Sequence, residues 1–221
     1  MSSAIIIMAH QSAAAYIHRI WPLYQAIGVP VYLNLPIGHH IDGIQPVINL
    51  GANAHQGLET IVRYQQVMKW AATNSDHDDW SICEYDAFPL KPILPTDPGP
   101  QGISGIATSR RRICRLTTPW RMRRSTALKF AMAPQLRGPV KYTGAIDYWF
   151  HVMANQLNLP VVHNNAIDVF THLRLGTSAS SAAVRTAFRQ CPSLHQATWI
   201  HGLKKIDSIE VMLEEAVRLA K

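Results

Sequence analysis

Short apolar runs and helical stripes alternate along the first part of the chain. Residues 4–9 form a continuous apolar run, the pattern of a strand buried on both faces. Ile17, Ile20, Trp21, Tyr24 and Ile27 follow at spacings of three and four, which marks one face of a helix. Pro22 interrupts or kinks that helix, and Gly28 ends it. Residues 29–33 and 45–50 read as a second and a third strand. Leu58, Ile61, Val62 and Met68 stripe a helix over 55–72. A polar loop, 73–79, leads to a strand at 80–83 that runs straight into Glu84-Tyr85-Asp86. Strand, helix, strand, helix, strand predicts an α/β fold with a mostly parallel, Rossmann-like central sheet flanked by helices.

Beyond Pro89 the pattern changes. Residues 91–100 carry four of the 14 prolines and read as an extended loop. The segment after it has weak periodicity. Ile146, Trp149, Phe150, Met153 and Leu157 then predict a helix, and residues 160–163 a late strand. Residues 176–183 are small and polar, as in a flexible loop. A short apolar run ends at 199–202. Ile209, Met212, Leu213, Ala216, Val217 and Ala220 stripe a last helix, with Asp207 and Glu210 in a D-x-x-E capping pattern at its start. No internal repeat or low-complexity tract is present. The 221 residues read as one domain with two halves, 1–90 and 91–221.

With 48% hydrophobic and 16% charged residues, the composition excludes a disordered chain. No apolar stretch approaches the ~18 residues of a membrane span. The run at 4–9 lacks a basic flank and a cleavage site, so it reads as a strand and not a signal peptide. Cys83, Cys114 and Cys191 have no C-x-x-C spacing and read as free thiols in a reducing cytoplasm, that of a host cell if the chain is viral. Charge changes the picture more. Residues 98–146 contain no Asp or Glu and ten Lys or Arg, among them Arg110, Arg111, Arg112, Arg115, Arg121, Arg123 and Arg124. The remainder carries 11 basic and 14 acidic residues, so a near-neutral body holds one basic segment. That asymmetry predicts an anionic partner.

Glu84 and Asp86 lie at the carboxyl end of a strand, where ligands of open parallel sheets bind. If the strand persists through them, they share a face and could hold Mn²⁺ or Mg²⁺. Spacing alone favours ordinary turn carboxylates or a cap for the next element. The run Ser81-Ile82-Cys83-Glu84-Tyr85-Asp86-Ala87-Phe88-Pro89 resembles the acidic metal-binding motif of GT-A glycosyltransferases. It is similarly placed, after a β/α/β half. Tyr142-Thr143-Gly144-Ala145-Ile146-Asp147-Tyr148-Trp149-Phe150 resembles that family's segment in which an acidic residue opens a helix near the acceptor. Trp199-Ile200-His201-Gly202-Leu203-Lys204 resembles its late H-x-x-K stretch. The resemblance implies a GT-A-like fold in which 1–90 binds the nucleotide sugar and 91–221 faces the acceptor. It implies Asp86, Glu84 and His201 as metal ligands, and His10, Lys204, Arg110 and Tyr85 as contacts of a nucleoside diphosphate sugar, a UDP-sugar first. It also implies transfer of a hexosyl group to a hydroxyl acceptor.

Asp147 is the sole acidic residue between Asp97 and Asp168. It is either the general base of an inverting transfer or a carboxylate favoured by a helix N-terminus. The basic segment supplies more cations than one diphosphate requires. Arg111, Arg112, Arg115, Arg121, Arg123 and Arg124 could track a polyanion, with Trp120, Phe130 or Tyr142 stacking on a base. The leading acceptor on this reading is a hydroxymethylated pyrimidine in DNA. A lipopolysaccharide or capsular acceptor fits the same charge. Two other classes stay open: a nucleic-acid-binding module without catalysis, and a nucleotidyltransferase. The second lacks a phosphate-cradling glycine-rich loop after the first strand.

Overall fold

The computed structural model describes residues 2–52, 58–73, 76–110, 113–135, 146–170, 172–176, 179–191 and 196–219, without the side chains of 109, 110, 113 and 216–219. The burial on both faces expected of residues 4–9 appears in β1 (Ser3–Met8), whose two faces feed two cores. Ile5 and Ile7 pack with Ile17, Ile20 and Tyr24 of α1 (Ala14–Gln25) on one side. Ala4, Ile6 and Met8 meet Ile61, Tyr64 and Met68 of α2 (Leu58–Thr73) on the other. β2 (Val31–Leu35), β3 (Val47–Asn49) and β4 (Asp79–Glu84) complete the parallel half. Pro22 lies inside α1 without ending it. The chain leaves that helix at Gly28, which has φ +81°.

The second half departs from the expected pattern. The basic segment supplies two long strands, β6 (Ile103–Arg110) and β7 (Ile113–Arg123), and then α3 (Arg124–Ala131). The helix predicted after residue 145 is α4 (Ile146–Gln156), and β8 (Val161–His163) follows. The seven-stranded sheet has the order β3-β2-β1-β4-β7-β6-β8. β7 pairs antiparallel with both β4 and β6, so it alone runs against the rest.

A smaller sheet completes the architecture. β5 (Ala87–Pro89) pairs antiparallel with β10 (Trp199–His201), which pairs in parallel with β9 (Ala166–Asp168). α5 (Ser181–Gln190) occupies part of the expected flexible loop; the Ser180 side chain caps it by accepting the Ala183 N–H (3.3 Å). α6 (Ile206–Leu219) packs against it. The expected capping box at Asp207 and Glu210 is not formed. Asp207 already lies inside the first turn, and both Glu210 carboxylate oxygens are bound by Arg19 of α1. No helix among the described residues is long and apolar enough to cross a membrane.

Candidate active site

The turn Glu84-Tyr85-Asp86 is the hinge between the two sheets. β4 ends on Glu84, β5 begins on Ala87, and β10 brings His201 opposite Ala87. The backbone of the turn is pinned from several sides. Tyr85 N–H donates to the Met8 carbonyl (3.0 Å), Glu84 N–H to Thr118 Oγ1 (3.0 Å), and Gly202 N–H to the Asp86 carbonyl (3.0 Å). Two hydroxyls on α1 hold the second sheet in place: Tyr24 donates to the Ala87 carbonyl and Tyr16 to that of Leu203. Gly202 has φ +100°, and a Cβ there would stand 2.8 Å from the Phe170 ring. Glycine is therefore required directly after His201.

These constraints bring three expected ligands together. His201 Nε2 lies 3.7 Å from Glu84 Oε2 and 3.7 Å from Asp86 Oδ1. One ligand atom from each of the three residues falls within 4.8 Å of the others. Lys204 Nζ stands 3.4 Å from the second Asp86 oxygen and 5.3 Å from the centre of the Tyr85 ring. The His10 ring packs edge-on against the Tyr85 ring, with centroids 4.9 Å apart. His10, Tyr85 and Lys204 thus line one side of the acidic turn.

A divalent cation fits this donor set. The Asp86 side chain is 3% exposed, and its Oδ1 has no hydrogen-bond partner among the described residues. A buried carboxylate oxygen left so would be costly unless a cation completes it. Two carboxylates and an imidazole suit Mn²⁺ well and Mg²⁺ less well.

Two residues that sequence reasoning missed orient the candidate ligands. Asp168 Oδ2 lies 2.8 Å from His201 Nδ1 and so directs Nε2 at the carboxylates. Tyr64 of α2 donates its hydroxyl to Glu84 Oε1 (3.1 Å). Asp168 sits in a three-residue strand with no motif around it; its signal is spatial, the β9–β10 register that sets it beside His201.

The electrostatics follow from this crowding. Burial opposes a charge on His201, yet Asp86, Asp168 and Glu84 hold its pKa well above the ordinary imidazole value. Burial and the neighbouring Glu84 raise Asp86 against the pull of His201 and Lys204. Burial also works against Glu84, but His201, Lys204 and the Tyr64 hydroxyl hold its pKa below the usual carboxylate range. Asp147 opens α4 and is pushed up to about 7, chiefly by burial and then by Glu84, with His201 and Arg115 opposing. Its carboxylate thus feels the acidic turn. Its Oδ1 has no hydrogen-bond partner among the described residues.

Among the described residues, the basic segment does not form the polyanion track expected of it. Trp120 is fully buried, stacks on Phe150 at 4.3 Å and donates its indole N–H to the Leu116 carbonyl (2.7 Å). It has no face for a base, and Phe130 is buried in the same cluster. Arg121 binds Asp79 (2.6 Å), and Arg123 binds Asp79 (3.3 Å) and Asp97 (2.7 Å). Arg124 Nε donates to the Ala72 carbonyl. Because β7 runs against β4, Arg121 and Arg123 pair with Ser81 and Asp79. These positions lie toward the far end of β4, roughly 10 and 16 Å along the strand from Glu84. Arg115 is the exception, close enough to act on Asp147. Arg111, Arg112, Tyr142 and the side chain of Arg110 lie outside the described residues.

No family model and no curated protein matches the sequence. Among solved structures, the chain is similar to a glycosyltransferase involved in the glycosylation of the major capsid of PBCV-1. The two share 10% identity over 98% of this chain and 100% of that one, with a TM-score of 0.55. A Drosophila β-1,4-galactosyltransferase 7, in complex with manganese, UDP-Gal and xylobiose, gives 14% identity and a TM-score of 0.48 over 74% of this chain; the chain spans 65% of that protein's length. The galactosyltransferase LgtC gives 12% identity and a TM-score of 0.46 over 98% of this chain and 95% of that one. At such identities the likeness to the capsid enzyme speaks for the fold, and that fold is the one expected from the sequence: a GT-A-like α/β sheet flanked by helices.

Proposed function

We propose that the chain is a metal-dependent glycosyltransferase that moves a sugar from a nucleoside diphosphate sugar, a UDP-sugar first, to a hydroxyl acceptor. One observation carries the reading: Glu84, Asp86 and His201 converge beside Lys204 at the carboxyl end of β4, with Asp86 Oδ1 buried, without a hydrogen bond and 3.7 Å from His201 Nε2. The fold it shares with a capsid glycosyltransferase supports the same reaction class. Asp86, Glu84 and His201 would hold Mn²⁺ or Mg²⁺. A cation there would offset the negative charge that grows on the departing diphosphate. Lys204 adds a fixed positive charge beside it, and Tyr85 and His10 wall the donor side. Asp147 takes the proton of the acceptor hydroxyl as its oxygen attacks the anomeric carbon, and the bond to the diphosphate breaks on the opposite face. That single displacement inverts the anomeric centre. A pKa near 7 suits a base that must be free at neutral pH and still attract a proton.

The test is release of UDP or GDP from a panel of nucleotide sugars with Mn²⁺. Wild-type protein should release one of them only when metal is present, and Asp86→Ala should lose at least about a hundredfold of that rate. Release that Asp86→Ala leaves unchanged would sink the site assignment. No release with any donor would favour a binding module without catalysis. The inward pairing of Arg121 and Arg123 removes the main motive for a DNA acceptor among the described residues.

A further inference from the structure

We infer that Arg115 selects the acceptor: the molecule whose hydroxyl meets Asp147 carries a phosphate or carboxylate group, and the Arg115 guanidinium holds that group. This deepens the glycosyltransferase reading and rests on it. Residues 98–146 hold ten cations and no acid. Arg121 and Arg123 are bonded to Asp79 and Asp97, and Arg124 to the Ala72 carbonyl. Arg115 differs. Among the described residues it makes no hydrogen bond and no ion pair, and its Nε is shut off from solvent. A guanidinium N–H left so is costly unless an acceptor completes it.

β7 carries Arg115 past the end of β4. The two strands pair from Asp79 and Arg123 to Ile82 and Trp120, and Thr118 Oγ1 then accepts the Glu84 N–H (3.0 Å). β4 ends there, whereas the β6–β7 ladder runs on to Arg110 and Ile113. Arg115 therefore stands three residues, roughly 10 Å, along the strand beyond the level of Glu84. α4 brings Asp147 to the same region. Phe150 stacks on Trp120 of β7 (4.3 Å), and the Tyr64 ring meets Trp120 and Phe150 edge-on at 5.7 and 6.1 Å. Tyr64 also donates to Glu84, so one aromatic cluster sets α4 and β7 against the acidic turn. Asp147 precedes Phe150 by three residues, about one turn toward the start of α4. Its carboxylate feels Glu84, His201 and Arg115 together.

Arg115 and Asp147 do not satisfy each other. Arg115 Nε and Asp147 Oδ1 are both without a hydrogen-bond partner among the described residues. Asp147 calls for a donor and Arg115 for an acceptor. A hydroxyl beside an anionic group answers both, with the hydroxyl on Asp147 and the anion on Arg115. An uncharged acceptor would leave the guanidinium unmatched. The donor diphosphate has a cation of its own, Lys204 beside Asp86, whereas Arg115 acts on Asp147. One guanidinium matches one anionic group. A DNA strand would need a row of them, and Arg121 and Arg123 are turned inward to Asp79.

The test is equilibrium binding to the full-length protein with Mn²⁺ and UDP present, read by calorimetry. Galactose 6-phosphate and galacturonate are compared with galactose, and glycerol 3-phosphate with glycerol. At least one anionic member should bind roughly ten- to hundredfold more tightly than its uncharged parent, the effect of a charge-assisted hydrogen bond. Whether phosphate or carboxylate gains more names the group. Arg115→Gln should abolish the preference. Arg115→Lys, which keeps the charge without the planar fork, should keep only part of it, and it decides the matter if Arg115→Gln does not fold. No preference in the wild type, or one that survives Arg115→Gln, overturns the inference; release of UDP from a donor sugar then leaves the reaction class standing. A variant that loses affinity for UDP in place of the anionic preference would assign the cation to the donor and overturn it as well. If the preference depends on Arg115 and no donor is turned over, the anion site stands and the reaction class falls.

Discussion

His201 has Glu84 and Asp86 each 3.7 Å from Nε2 and Asp168 2.8 Å from Nδ1, and this surrounding decides how it titrates. With its pKa held well above the ordinary imidazole value, it carries a proton at neutral pH until a cation takes that place. Mn²⁺ binding near pH 7 should therefore release about one proton per ion. Calorimetry in buffers of different ionisation enthalpy reads this directly, and heats independent of buffer would contradict it. Asp168→Asn keeps the shape but removes the charge that fixes the Nδ1–H tautomer. Mn²⁺ affinity should fall about 10- to 100-fold with the fold retained; unchanged affinity would make Asp168 merely structural. Asp147 titrates with a functional cost. Its pKa is raised by burial and by Glu84, so between about pH 4 and about 7 the folded state binds more protons than the unfolded one. Stability then falls as pH rises through that window. Asp147→Asn should be more stable than wild type at about pH 8, by up to about 4 kcal/mol, and match it near pH 4. The same variant should lose transfer by about a hundredfold or more. Urea melts at the two pH values and an initial-rate assay check both halves; a variant that keeps full transfer rate ends the general-base role. Asp86, Glu84, His201 and Lys204 were legible because each sits in a short motif. Asp168 and Tyr64 were not, since only the folded register sets them against the ligands.

Short apolar runs made β1 and β4 readable, because both of their faces are buried, and helical stripes did the same for α1 and α2. β6 and β7 escaped it for a physical reason. Arg121 and Arg123 are polar residues whose side chains lie mostly inside the protein, paired with the buried Asp79, so the apolar/polar alternation of a strand is broken. The register also shifts between Ser104 and Ile106. α5 was hidden by its small residues, Ser181, Ala182 and Ala183, which carry little hydrophobic signal. The short strands β9 and β10 matter more than their length suggests. They fix Asp168 beside His201, and Gly202 lets the chain turn away immediately afterwards. Gly202→Ala would force a Cβ at φ +100° into the Phe170 ring. It should cost about 1 to 3 kcal/mol of stability. It should also weaken Mn²⁺ binding, because the displaced residue is bonded to the Asp86 carbonyl. Denaturant midpoints and a metal titration report the two effects. A stable variant that binds Mn²⁺ normally would show that the turn adapts.

At the scale of the molecule, the proposed ligands come from separate sheets: Glu84 from the seven-stranded sheet, His201 from the three-stranded one, and Asp86 from the turn that joins them. A cation bound by all three therefore links the sheets, and unfolding must release it. Binding to the folded state alone adds about 2.7 kcal/mol at a hundredfold excess over Kd. For a chain of 221 residues, Tm should then rise by roughly 5 to 10 °C. The pH dependence has a definite sign. Without metal, the protonated His201 holds the three carboxylates together, and this contribution is complete below the unfolded imidazole pKa and lost as pH rises through the raised folded value. Metal needs the deprotonated ring, so its contribution grows as pH rises. The Tm increment from Mn²⁺ should accordingly be larger near pH 8 than near pH 6. Asp86→Ala should remove most of it at both, because it takes away the most buried carboxylate of the three candidate ligands, whose Oδ1 makes no hydrogen bond. Equal increments at the two pH values would mean that His201 is not displaced by the ion. An increment that survives in Asp86→Ala would place the ion elsewhere on the surface, and with it the case for chemistry at the turn between the sheets would fail.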